Sequence, residues 1–273
     1  MRRPSFLSVV AASALVILAS GCFTASQPSV PAPEGATRLS VAPDFSGTIW
    51  AATRDEEFRS RDGGHSWQRV PGSSGGQAVT FTEHFAYLVG PDGAQRGNYG
   101  ADRLTDPRPT PARFIDVTTP YHRTDRVLAL DDAGNVWLSV RAGSGWRRLR
   151  AEGLPPGGVA IAAARDLVTE PDTILVAAGA GGLWRSTDDG ATFGRVDGVP
   201  AAVDAAMTTD DQDRILVATG EQLFLSTDRG RTFRETADIP AVSVAFDPRN
   251  HRLAYASAGG VLHRSTDGGA GWE

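Results

Sequence analysis

From Ala241 onward the chain alternates short apolar runs with polar turns. AVSVAF (Ala241–Phe246) is followed by a turn, DPRNHR, then by LAYAS (Leu253–Ser257) and VLHRS (Val261–Ser265), which runs into a turn built on aspartate and glycine. Runs of this length, β-branched or apolar and bounded by Gly, Pro or Asp, predict strands. The same order is read at Val203–Ser226, at Val159–Ser186 and at Leu39–Ser60.

The turn that closes each unit recurs as a motif. SRDGGHSW (Ser60–Trp67), STDDGATF (Ser186–Phe193), STDRGRTF (Ser226–Phe233) and STDGGAGW (Ser265–Trp272) share the pattern S-x-D-x-G-x-[STG]-[WF]. Its constant positions are Ser60, Asp62, Gly64 and Trp67; Ser186, Asp188, Gly190 and Phe193; Ser226, Asp228, Gly230 and Phe233; and Ser265, Asp267, Gly269 and Trp272. The last three serines are 40 and 39 residues apart. A degraded copy, SVRAGSGW (Ser139–Trp146), has Arg141 where the aspartate belongs. Aspartate can accept backbone N–H bonds across a tight turn, glycine supplies a positive φ, and the aromatic can plug the gap beside a neighbouring sheet. A constellation that repeats is structural before it is catalytic.

Four short strands per period of about 40 residues is the requirement of one propeller blade. The predicted fold is all-β: a β-propeller of six blades of four-stranded antiparallel sheet, with seven as the alternative count. The outer strands end near Val70, Pro107, Leu149, Arg195, Glu235 and the last residue. The sixth unit has almost no fourth strand after its box aromatic, so a segment just before Thr37 is expected to cover that edge.

These motifs resemble the Asp-box, or BNR, repeats of sialidase-like β-propellers, a family that also includes sortilin-type receptors, glycan-degrading enzymes and photosystem II assembly factors. The resemblance covers nearly all of 37–273. It implies a structural role for the sixteen motif positions, and ligand binding on the face formed by the second-to-third turns and the interblade loops. On that face the candidate ligand residues are Arg54, Glu56, Arg96, Tyr99, Asp102, Arg103 and Asp131, from ATRDEEF, the long GPDGAQRGNYGADR and DDAGN. A sialidase would need an arginine cluster, a tyrosine activated by a glutamate and an acid–base aspartate. The corresponding loops of blades four to six carry no arginine, Tyr255 in LAYAS is expected to pack within its blade, and neither Tyr87 nor Tyr121 has an obvious glutamate partner. No catalytic residue is assigned.

The first residues set Arg2 and Arg3 before an apolar run, Phe6 to Leu18, and then small residues leading to Cys22, the single cysteine. This is the pattern of a secretory signal, and Leu18-Ala19-Ser20-Gly21-Cys22 resembles a bacterial lipobox. The expected organisation is a signal peptide at 1–21, a lipidated Cys22 with an extended Pro/Ser/Ala tether at 22–36, and the propeller at 37–273. The expected location is the outer face of the cytoplasmic membrane.

The net charge of −5 argues against nucleic acid. Asp210, Asp211 and Asp213 lack the glycine and distal glutamate of a calcium loop, the histidines lack ligand spacing, and there is no phosphate loop, so neither metal nor cofactor is assigned. The function expected is a non-catalytic, lipid-anchored propeller that binds a protein or a cell-envelope glycan. The alternatives are an exo-sialidase or other glycosidase, and an assembly factor for a membrane complex.

Overall fold

The computed structural model describes residues 30–43, 47–73, 78–98, 104–120, 123–164, 171–209 and 213–273. Cys22, Tyr99, Asp102, Arg103, Tyr121, Asp210 and Asp211 lie outside them. The described residues contain strands and turns and no helix.

After β1 (Val30–Pro31), the first blade is β2 (Arg38–Val41), β3 (Ile49–Ala52), β4 (Glu57–Ser60) and β5 (Gln68–Arg69). The second is β6 (Ala78–Phe81), β7 (Ala86–Gly90) and β8 (Gly93–Gly97). The third is β9 (Phe114–Thr118), β10 (Val127–Asp131), β11 (Val136–Ser139) and β12 (Arg147–Arg148). The fourth is β13 (Ala160–Ala164), β14 (Thr173–Ala177), β15 (Leu183–Ser186) and β16 (Gly194–Arg195), and the fifth is β17 (Asp204–Met207), β18 (Ile215–Ala218), β19 (Leu223–Ser226) and β20 (Arg234–Ala237). The sixth is β21 (Ser243–Asp247), β22 (Asn250–Ala258) and β23 (Val261–Ser265), completed by β1. Each sheet is an antiparallel meander, and together they form the six-bladed propeller expected from the repeat.

The second strand of each blade is sandwiched between neighbouring sheets. IWAA of β3, VLALD of β10 and ILVA of β18 are therefore buried at every position, as continuous apolar runs require. Apolar clusters fill all six interblade spaces, and the ring closes where Leu39 and Ile49 of the first blade meet Tyr255 and Leu262 of the sixth.

That closure has two parts. Val30 and Pro31 pair with Leu262 and Val261 of β23, and the amide of Ala32 donates to Gly260 O at 2.9 Å. Further along the same edge, Arg264 and Glu273 exchange two backbone hydrogen bonds of 2.9 Å. The segment ahead of Thr37 thus covers the sixth blade, as expected, and proline is tolerated there because the strand is outermost.

The four intact turns share the serine's two bonds and the aspartate's bond from the amide four residues on. The hydroxyl bond to the aspartate is made in blades one, four and five and is absent in the sixth, where Gly271 has no hydroxyl. In the fourth blade Ser186 Oγ donates to Asp188 Oδ1 at 2.7 Å and accepts from the Gly190 amide at 2.9 Å. Asp188 Oδ1 accepts from the Thr192 amide and Oδ2 from the Thr192 hydroxyl. Gly190 has φ +80°, and a Cβ there would stand 2.6 Å from Leu149 Cδ1. The aromatics Trp67, Phe233 and Trp272 pack into the clusters shared with the preceding blade, and Phe193 is itself buried in one.

The second blade departs from the expected chain path. Gly90 to Arg103 was expected as one long loop, yet Gly93–Gly97 forms β8, joined to β7 by the two-residue turn Pro91-Asp92. GAQRG has no apolar alternation to announce a strand. What makes it one is backbone contact: Ala94 and Arg108 exchange two 2.9 Å bonds, and a Cβ on Gly93, at φ +120°, would sit 2.1 Å from Arg108 O. Only glycine lets the two chains approach so closely.

Candidate functional site

The six first strands, β2, β6, β9, β13, β17 and β21, surround an axial cavity of about 140 Å³. A polar layer lies in it near the starts of the first strands, the end into which the interblade connections lead. Arg38 opens β2, Asp204 opens β17, Ser243 opens β21, and Asp116 sits at the centre of β9. The cavity walls add Thr118 and the apolar Val79.

Each polar group ties blades together. Asp116 Oδ1 accepts from the Val117 amide at 2.9 Å, and Oδ2 accepts from the Ile161 amide of blade four at 2.7 Å. Asp204 Oδ1 accepts from the Ala205 amide, and Oδ2 accepts from Ser243 Oγ and the Val244 amide of blade six. Arg38 donates to the carbonyls of Thr37 and of Val159 in blade four, and its Nε stands 3.6 Å from Asp116. Thr119 of blade three donates to Phe81 O of blade two at 2.8 Å.

Burial dominates the electrostatics. Removal from water pushes Asp116 up to about 6, against the attraction of Arg38, and pushes Asp204 up for the same reason. Arg38 is held above its ordinary value by the two carboxylates, which outweigh its own burial. The cavity has room for about four or five waters at ~30 Å³ each. Organic ligands usually occupy ~300–1,000 Å³.

The candidate ligand residues do not converge. Arg54 is exposed in the β3–β4 turn. Glu56, in the same turn, pairs with Arg69 of β5 at 3.0 Å. Arg96 lies towards the end of β8, where its guanidinium stacks 4.7 Å from the centre of the Phe85 ring in the β6–β7 turn. Because β8 is a strand, Arg96 belongs to the face opposite Arg54, which corrects its expected placement. Asp131 is consumed by its own hairpin. Its oxygens accept from the amides of Ala133 and Asn135, from Asn135 Nδ2 and from Trp137 Nε1 at 2.7–3.0 Å, and these bonds hold its carboxyl below the usual range.

Two further tyrosines and a loop aspartate are similarly engaged. Tyr255 is buried between blades six and one, Tyr87 donates to Thr124 O at 2.8 Å, and Asp213 pairs with Arg229 at 3.0 Å. Among the described residues no group of three or more His, Cys, Asp or Glu is placed to hold a metal. No described helix is long and apolar enough to cross a membrane.

Sequence reasoning missed the polar layer. The signal was present as register: Arg38, Asp204 and Ser243 each stand 22 residues ahead of Ser60, Ser226 and Ser265 of their own blades. Aligning the units on their serines puts charged or hydroxyl side chains at one level of the cavity.

No protein-family model matches the chain, and no curated protein does. Solved structures match in fold. A GH74 enzyme of Niastella koreensis superposes with a TM-score of 0.58 at 16% identity, covering 84% of this chain and 36% of the enzyme. YCF48 bound to a D1 peptide gives 0.53 at 16% identity, covering 87% and 96%. YCF48 from Cyanidioschyzon merolae gives 0.53 at 18% identity, covering 90% and 86%. The chain therefore spans about a third of the GH74 enzyme and nearly the whole length of the YCF48 proteins. At these identities the likeness is one of fold.

Proposed function

We propose that this chain is a binding scaffold for a protein partner, exported and held at the outer face of the cytoplasmic membrane by a lipid on Cys22. The observation that carries the reading is the state of the two axial carboxylates. Every oxygen of Asp116 and Asp204 accepts a main-chain hydrogen bond, and Asp116 and Asp204 each accept one from the next blade. A carboxylate used in this way ties neighbouring blades together, which supports a scaffold role. The small cavity between them supports the same conclusion.

The YCF48 comparison, in which a propeller of similar length holds a peptide, supports a protein partner and the assembly-factor form of this function. Retention of an envelope glycan is the second form, supported by the Asp-box resemblance. The test is site-specific photo-crosslinking of the full chain in cells, with the crosslinker placed in turn at Arg54, Arg231 and Arg148. One reproducible protein adduct confined to one position is the expected result. No protein adduct at any position, with labelled envelope glycan retained on the purified chain, would overturn the protein reading.

A further inference from the structure

The outer edge of blade three differs in charge from the rest of the molecule. Between Asp132 and Glu152 the sequence has no acidic residue and four arginines, Arg141, Arg147, Arg148 and Arg150, in a chain of net charge −5. All four are exposed. Among the described residues none of the four has a carboxylate within ion-pair distance. Two other rims are balanced: Arg69 of blade one meets Glu56 at 3.0 Å, and Arg264 of blade six meets Glu273 at 3.9 Å.

Arg141 is not needed by the turn it occupies. In this copy Ser139 Oγ donates to Ser144 O and accepts from the amides of Arg141 and Gly143, so the turn closes without a carboxylate. Beside it stands Val140, 48% exposed and one of two large apolar side chains exposed among the described residues. The arginines at 147 and 148 form β12, the outermost strand of its sheet, with β11 on one side only. Among the described residues no strand pairs with its other backbone edge. Like charges along such an edge repel a second copy of the same strand and attract a strand of opposite sign.

We propose that this edge docks an extended, acidic protein segment carrying an apolar residue. Arg147, Arg148 and Arg150 would pair with its carboxylates, to which guanidinium is geometrically suited, Arg141 would extend the charge across the turn, and Val140 would meet the apolar side chain. This inference rests on the protein-binding reading and names the partner's chemistry. A protein segment fits better than a lipid surface because blade three is three blades around the ring from blade six. Blade six holds β1, where the described chain begins, and the basic rim lies on the opposite side of the ring.

The test is fluorescence anisotropy with the full-length chain in detergent micelles. The probe is a labelled ten-residue peptide of alternating Glu and Val, compared with its Lys–Val counterpart. The expected result is saturable binding of the Glu–Val peptide alone, reduced at least about ten-fold when Arg141, Arg147, Arg148 and Arg150 are all replaced by Gln, and reduced about three-fold by Val140→Ser. Arg234→Gln, exposed on the outer strand of blade five, should leave it unchanged. Circular dichroism of each variant, and the single Arg147→Gln change, separate a lost site from a lost fold.

Equal binding of the Lys–Val peptide, or undiminished binding by the folded quadruple variant, would overturn the inference. Displacement by short-chain phosphatidylglycerol at the same concentration as by acidic peptide would overturn it in favour of a lipid headgroup. If crosslinks form from Arg54 or Arg231 while Arg148 is silent, the edge is wrong and the protein-binding reading stands. If no position crosslinks and no peptide binds, both fail.

Discussion

The hydroxyl of Ser243 donates to Asp204 Oδ2 at 2.7 Å while accepting from the amide of Leu39 at 2.9 Å. One buried side chain therefore links blades five, six and one at the level where the ring closes. Ser243→Ala would strand the Leu39 amide and remove a donor from Asp204. A buried donor left unpaired costs about 1–3 kcal/mol, so a urea midpoint at pH 7 is expected to fall by that order. A loss within error of zero would show that the axial clasp does not support closure.

Stability should fall on both sides of a mildly acidic optimum. Asp116 titrates near 6 in the folded chain and near ~4 when unfolded, so the folded state binds the extra proton between those values. Its contribution is greatest below about pH 4 and is lost as pH rises through about 6. Asp62, Asp188 and Asp228, each held at about 2 by its turn hydrogen bonds, act oppositely. Their contribution is present above about pH 4 and lost as pH falls towards 2. His263, held below its ordinary value by burial, opposes Asp116 over the upper part of the window. The informative measurement is therefore the difference between wild type and Asp116→Asn in urea midpoints from pH 4 to 7. The variant should show a shallower fall, and parallel curves would contradict the assigned burial effect.

Two glycines four residues apart should respond in opposite ways. Gly190 has φ +80° and no room for a Cβ beside Leu149, whereas nothing lies within 4 Å of a Cβ on Gly194 in β16. Gly190→Ala combines left-handed strain with a clash and is expected to cost about 1–3 kcal/mol. Gly194→Ala should be neutral or slightly stabilising because it narrows the unfolded ensemble. Thermal midpoints of the two variants check this, and equal shifts would contradict it.

Much of this architecture was legible because each unit repeats its punctuation. The serine–aspartate–glycine turns marked four blades, the remnant at Ser139–Trp146 marked a fifth, and spacing left room for the second. The missing outer strand of blade six pointed to closure from the N-terminal side, which Val30–Pro31 supplies. GAQRG was misread because its strand character comes from backbone pairing with Arg108, which leaves no apolar pattern. Arg96 was placed on the wrong face as a result. Asp131 was read as a ligand group since an exposed-looking DDAGN loop does not disclose that its carboxylate will close the hairpin onto Trp137. The axial layer was overlooked because Arg38 and Asp204 come from distant segments that only superposing the blades brings to one level, and Asp116, 23 residues ahead of Ser139, is one position out of that register.

If Cys22 carries the tethering lipid, Cys22→Ser should move the chain from the membrane fraction to the soluble extracytoplasmic fraction and abolish incorporation of a labelled fatty acid. Labelling of the serine variant equal to wild type would rule out the anchor.

The scaffold role is put to the test by hydrolysis of a broad panel of aryl glycosides, sialosides and oligosaccharides by the purified chain, beside its Asp116→Asn and Asp204→Asn variants. No turnover above the buffer blank is expected for any of the three proteins, with both variants less stable than wild type. Turnover by wild type that either substitution abolishes would show that an axial carboxylate is catalytic, and would contradict the scaffold reading.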